Sequence, residues 1–155
     1  MKQIIIDDGT RAYEIVNKFG KIIAVLHFRP GDIAIAERYR EMRDDFGNIV
    51  KPLAEIDINA DGTAADDVAM NALHEADLAL RSALAKLLDS DDVADVFSAR
   101  NPFSSVGGRF FCAHIIDAIG GIVEEVMAEE AEASRQRTSK YIEEDSDARA
   151  AAADA

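Results

Sequence analysis

The chain has 155 residues, a formal net charge of −13, one cysteine and no tryptophan, and 48% of its residues are hydrophobic. This length predicts one domain with a largely aliphatic core. The acidic balance disfavours DNA, RNA and anionic membranes as partners, because each needs a basic footprint, and favours basic or hydrophobic proteins. A lone cysteine excludes an internal disulfide and fits a reducing compartment. We find no signal peptide pattern and no apolar run approaching the roughly 20 residues that span a bilayer, and therefore expect a cytoplasmic protein.

The first 28 residues favour β-structure. Ile4 to Ile6 is a β-branched run that ends at two aspartates and Gly9, and two further β-rich runs flank the segment Asn17 to Gly20. Two such runs joined by a short turn containing Asn and Gly predict a hairpin. With Ile4 to Ile6 included, we expect a small antiparallel sheet of about three strands.

About four helices are predicted to follow, giving an α+β fold. The first covers residues 33–46, with Asp32 as its N-cap and Gly47 as its end, and a loop spans residues 48–62. The second runs from about Thr63 to Leu88, and a short third helix covers 93–97. Apolar residues recur at helical spacing in the first two helices: Ile35, Tyr39, Met42 and Phe46, then Val68, Leu73, Leu80, Leu84 and Leu87.

The last helix is predicted to start near Val106 and to reach Lys140. Its apolar face comprises Phe111, Ile115, Ile119, Ile122 and Val126. The glycine pair 107–108 is interpreted as a joint that lets the helix pack closely. The pair 120–121 costs about 2 kcal/mol relative to alanines, which indicates a close crossing or a kink. We expect residues 1–142 to form a single domain and the acidic, alanine-rich tail 143–155 to be disordered.

One segment resembles a calcium loop. Asp57, Asn59 and Asp61 match the first oxygen ligands of an EF-hand, and Gly62 follows where a sharp turn is needed. The bidentate carboxylate required at the twelfth position is replaced by Val68. A polar turn before a helix N-terminus is therefore the favoured interpretation, and the three residues are only a weak metal-site candidate.

Two further clusters suggest chemistry but lack essential parts. On a helix, His114 and Asp117 are neighbours because they are three residues apart. Cys112 is only two residues from His114, so its thiol points away from the histidine, and a nucleophile and its base must meet. A glutamate-rich stretch follows, comprising Glu124, Glu125, Glu129, Glu130 and Glu132. It has no Glu-x-x-His partner for a di-metal site and reads as a solvated face or an electrostatic docking surface. We therefore predict no catalytic residue, no cofactor and no enzymatic activity.

Roughly 130 residues together resemble the tail assembly chaperones of long-tailed bacteriophages of Gram-positive hosts. The matching segments in the N-terminal half are 6–9, 16–21, 28–32 and 37–39. Those in the C-terminal half are 95–97, 101–104, 106–108, 110–111 and 117–118, with Arg137, Lys140 and Tyr141 near the end. The segment 57–67 is outside the resemblance.

The resemblance implies a non-enzymatic protein of the host-cell cytoplasm that binds the helix-rich tape-measure protein and keeps it soluble until tail-tube subunits polymerise around it. It is also compatible with binding of the tail-tube protein and with assembly of this chain into a homo-oligomer. Helix surfaces near Tyr39, Phe103, Phe110 and Phe111 are candidates for client contact or self-contact, because aromatic side chains are common interface anchors. Each ring could equally belong to the core, and for Phe111 the core is favoured.

Two other functions stay open. The net charge of −13 would suit an acidic inhibitor that mimics DNA, although much of the acidity lies in the expected tail. The segment Asp57 to Asp61 would suit a calcium-responsive binding module, which the valine at position 68 weakens.

Overall fold

A computed structural model describes residues 1–55 and 66–153, apart from the side chain of Ala153. In this part of the chain, an antiparallel hairpin of β1 (Arg11–Val16) and β2 (Ile22–Phe28) precedes four α-helices. The helices are α1 (Ile35–Val50), α2 (Asp67–Leu88), the short α3 (Val93–Val96) and α4 (Phe111–Ala153), with a 3₁₀ turn at Lys51–Glu55. The strands β3 (Ser105–Val106) and β4 (Arg109–Phe110) form a second small hairpin before α4. The α+β class and the long last helix are confirmed.

The N-terminal sheet has two strands, and the expectation of about three is wrong. Ile4 to Ile6 belongs to no strand, and its three side chains are 76–93% exposed. Between this run and β1, the Asp7 and Asp8 carboxylates accept hydrogen bonds from the amides of Gly9 and Thr10, both at 2.9 Å. Such local bonds compete with strand pairing, and Gly9 turns the chain with a φ of +85°.

Helix α1 is longer at its end than predicted. It passes through Gly47 and ends at Val50. One interior glycine costs only about 1 kcal/mol, too little to stop a helix whose next turn carries half-buried apolar side chains. Asp32 lies two residues before the N-cap position Ala34, and its carboxylate accepts a hydrogen bond from the Ala34 amide at 3.0 Å. That bond lowers the pKa of Asp32.

Helix α2 begins at Asp67 and is capped by Asp66, whose side chain accepts a hydrogen bond from the Ala69 amide at 2.8 Å. The predicted start near Thr63 lies outside the described residues. Val68 was expected on the buried stripe but is 76% exposed. The rest of the predicted stripes largely enters one core shared by the hairpin and helices. Its most deeply buried members include Ile35, Met42, Leu80, Leu84, Leu87 and Ile119.

The start of α4 differs from the prediction. Gly107 and Gly108 lie between β3 and β4 with φ values of +62° and +79°, as in the tight turn of a two-residue hairpin, and α4 begins only at Phe111. The helix passes Lys140 and is described to Ala153. All described side chains beyond Met127 are exposed, so the second half of α4 adds nothing to the core. The domain boundary and the tail's disorder stay predictions. No helix among the described residues is both long and apolar enough to cross a membrane.

Candidate functional site

An open groove of about 560 Å³ lies between α1 and α2. Its α1 side is formed by Asp45, Asn48 and Ile49, with Pro52 from the 3₁₀ turn. Asn48 and Ile49 are adjacent, and each lies three or four positions from Asp45 and from Pro52, so the four residues lie along one side of the chain. The opposite wall is a single face of α2.

Four alanines make most of that wall: Ala72, Ala76, Ala79 and Ala83. Their spacing of four, three and four residues places them on one face of the helix. Ala76 is 7% exposed at the base, whereas Ala79 is exposed. Because each side chain is a single methyl group, the α2 backbone is accessible to another helix at close range.

Charged residues border the groove at several points. Asp45 and Glu75 are exposed on opposite walls, and Ser82 and Lys86 extend the α2 wall. The Lys86 ammonium lies 3.9 Å from the Glu41 carboxylate and its side chain is 74% exposed. An apolar base with charged edges suits an amphipathic helix whose apolar side chains face the alanines.

The four aromatic residues singled out by the sequence lie elsewhere. Phe103 and Phe110 meet edge to face with ring centroids 5.3 Å apart, and Phe111 meets Phe97 in the same way at 5.9 Å. Phe103 is only 6% exposed and is therefore a core residue, not part of an outer surface. Phe110 and Phe111 are half-buried against the same core. The first contact joins the segment before β3 to β4, and the second joins the end of α3 to the first residue of α4. A role of these rings in client contact stays a prediction.

Tyr39 joins α1 to α4. Its hydroxyl donates a hydrogen bond to the Ile116 carbonyl at 3.3 Å, and burial raises its pKa. The ring lies directly against Gly120, where a Cβ atom would come within 2.6 Å of the Tyr39 Cζ. The prediction of a close crossing at the second glycine pair is confirmed for Gly120, and Tyr39 is the residue that makes it.

The Cys112, His114 and Asp117 side chains have separate surroundings. Cys112 is fully buried, which raises its pKa to about 12 and makes it a poor nucleophile at neutral pH. His114 Nε2 lies 2.8 Å from the Val106 carbonyl, and the Asp117 carboxylate accepts a hydrogen bond from Arg109 at 2.6 Å. The geometry thus offers no nucleophile–base pair within this cluster.

The acidic candidates divide between described and undescribed residues. Asp57, Asn59 and Asp61 lie outside the described residues. The five glutamates from position 124 to 132 are exposed, and Arg11 lies within 4.0 Å of the Glu129 and Glu130 carboxylates. Within residues 1–55 and 66–153, no three histidine, cysteine or acidic side chains are grouped as metal ligands.

A second cavity, of about 480 Å³, lies between the hairpin and α4. It is lined by carboxylates and guanidinium groups, among them Asp8, Arg11, Arg29, Asp32 and Glu130. Arg29 lies 3.8 Å from the Asp32 carboxylate, and hydrogen bonds from Thr10 lower the pKa of Asp8. These charges therefore serve ion pairs and turns within the chain.

The α1–α2 groove was not predicted as a site, although alanines recur between the leucines of α2 in the sequence. The signal was present in the sequence, but α1 and Pro52 were needed to turn an alanine face into a groove. Comparison of the chain with protein-family models, with curated proteins and with solved structures found no match.

Proposed function

We propose that this protein is a non-enzymatic tail assembly chaperone that binds helical segments of a phage tape-measure protein in the host cytoplasm and keeps them soluble. The observation that carries the proposal is the alanine-lined groove between α1 and α2, about 560 Å³ in volume. The sequence resemblance supplies the identity of the client, and tail-tube subunits are a further candidate partner.

The groove fits such a client in shape and in chemistry. A helix lying along the methyl face of Ala72, Ala79 and Ala83 buries its apolar stripe without displacing core side chains. Asp45 and Glu75 at the edges favour basic residues flanking that stripe. The overall charge of −13 then opposes association between coated complexes, which keeps them in solution.

The DNA-mimic alternative fits the described charges less well. Residues 128–153 of α4 carry seven acidic and four basic residues. Arg149 lies 3.2 Å from the Asp145 carboxylate, and Arg135 hydrogen-bonds to Glu132 along the same helix. These pairs place basic side chains among the carboxylates of this helix, which weakens its likeness to the uniformly negative phosphates of DNA.

The test is co-expression of the chain with a phage tape-measure protein, and the amount of soluble client is the readout. Ala79→Arg places a long charged side chain at an exposed groove position and is expected to remove most of the soluble client without unfolding the chaperone. Ala118→Arg, at an exposed position of α4 outside the groove, is the matched control and should leave solubilisation intact. Equal solubilisation by both variants would rule out the groove, and no solubilisation by the unmodified chain would rule out the chaperone function.

A further inference from the structure

The run Ile4 to Ile6 is an exposed β-branched segment outside the sheet. Its side chains are 87%, 93% and 76% exposed, in chain order. Three consecutive isoleucines strongly favour extended structure, and their exposure to water is costly. The segment therefore has the composition of a strand but belongs to neither of the described sheets.

Strand β1 offers an open edge. It pairs with β2 on one side, and no strand among the described residues pairs with its other side. Its core-facing residues Tyr13 and Ile15 are only half-buried, whereas their partners on β2, Leu26 and Ala24, are 3% and 6% exposed. The core side of the sheet is thus incompletely covered along the β1 edge.

We propose that Ile4 to Ile6 of one copy of the chain adds as a third strand to the β1 edge of a second copy. Side chains alternate between the two faces of a strand, so Ile4 and Ile6 would cover the open flank of Tyr13 and Ile15 while Ile5 faces outward beside Glu14. Reciprocal exchange would give a two-fold symmetric dimer with both edges covered.

A second copy is the occupant because, within one chain, Ile4 to Ile6 pairs with no described strand and its side chains stay exposed. The connector Asp7 to Thr10 is fixed by the two carboxylate–amide hydrogen bonds and by the positive φ of Gly9. The segment thereby presents its backbone groups and isoleucine side chains to a neighbouring chain, and the chain that receives it offers the same open edge.

Light scattering during size-exclusion chromatography tests the exchange on the full chain. We expect twice the mass of one chain for the unmodified protein and a single-chain mass after deletion of residues 1–6. Ile4→Asp should weaken the dimer by about tenfold or more, because Ile4 would be buried against the second copy. Ile33→Asp is the matched control, because Ile33 is comparably exposed, at 92% against 87% for Ile4, but lies outside the segment. A monomeric unmodified chain, or a dimer that survives the deletion, would overturn the proposal.

Cross-linking separates exchange from closure within one chain. Ile5→Cys and Glu14→Cys are made in different chains and mixed, with the unmodified chain as the background because its Cys112 is fully buried. A short thiol cross-linker should join the two variants into a heterodimer. In a chain carrying both changes, diluted below the dimer range, cross-linking within the chain would show that the segment completes its own sheet and would refute the exchange.

Discussion

The chain contains two pairs of adjacent glycines, at 107–108 and 120–121, and the two pairs have different structural roles. Gly107 and Gly108 lie in the turn between β3 and β4, both with positive φ and, within the described chain, no atom near where a Cβ would be. Gly120 and Gly121 are helical, and at Gly120 a Cβ would overlap the Tyr39 ring. Gly107 and Gly108 are needed for backbone conformation, whereas Gly120 is needed for space.

Within the second pair the requirement rests on one residue. Gly120 faces α1 and is buried, whereas Gly121 is exposed, with open space among the described residues where its Cβ would be. Adjacent helical positions point about 100° apart, so only one of the two can lie at the crossing. Single substitutions to alanine at these four positions should therefore change the free energy of unfolding in three different ways: a large loss at 120, a smaller loss at 107 or 108, and a gain at 121.

The largest effect is expected for Gly120→Ala. The added methyl group meets a half-buried aromatic ring that cannot move without breaking the Tyr39–Ile116 hydrogen bond. Overpacking of this kind outweighs the gain in helix propensity and should lower the free energy of unfolding by about 2 kcal/mol. Urea denaturation followed by circular dichroism measures it. An unchanged or higher midpoint would show that α1 and α4 do not approach each other as closely as described.

A smaller loss is expected for alanine at either hairpin glycine. Gly107→Ala or Gly108→Ala forces an L-residue into the left-handed region and should lower the free energy of unfolding by about 1 kcal/mol. Gly107→Asn is the control, because asparagine tolerates this region and Asn-Gly is a preferred sequence for such turns. If alanine and asparagine have the same effect in urea denaturation, the positive φ at this turn is not what the glycine supplies.

The two pairs also show what the sequence can and cannot specify. The hairpin of β1 and β2 and the buried stripe of α2 were predictable, because their patterns are local: a turn with Asn and Gly between β-rich runs, and leucines at helical spacing. The role of Gly107 and Gly108 was mistaken, because flanking strands of two residues are too short to show an alternating pattern.

Contacts between distant segments were less accessible. A close crossing at residues 120–121 followed from the cost of helical glycine, but its partner Tyr39 is 81 positions from Gly120 in the sequence, and no local pattern connects the two. The groove depends in the same way on how α1 and α2 are placed. Ile4 to Ile6 forms no strand because the hydrogen bonds from the Gly9 and Thr10 amides to the Asp7 and Asp8 carboxylates outweigh the β-propensity of this short run.

Gly121→Ala, unlike the other three glycine substitutions, should stabilise the fold. The residue is exposed in the interior of α4 and a methyl group there meets nothing among the described residues, so only helix propensity and unfolded-state entropy change. The free energy of unfolding should rise by about 0.8 kcal/mol. Thermal denaturation of the Gly121→Ala and Gly120→Ala variants compares the two positions directly. A loss of stability for Gly121→Ala would mean that the exposed side of α4 is covered.

The smallest effect is expected for Tyr39→Phe, which tests the residue that Gly120 contacts. The Ile116 carbonyl that accepts the Tyr39 hydroxyl is also placed to accept the Gly120 amide of the same helix, so it keeps a donor when the hydroxyl is removed. The loss should therefore be about 0.5 kcal/mol, at the low end for a hydrogen bond. The hydroxyl oxygen is also the atom nearest the position of a Gly120 Cβ. In a double-mutant cycle, Gly120→Ala should thus cost less in the Tyr39→Phe background than in the unmodified chain, whereas additive costs would place the overlap on the rest of the ring.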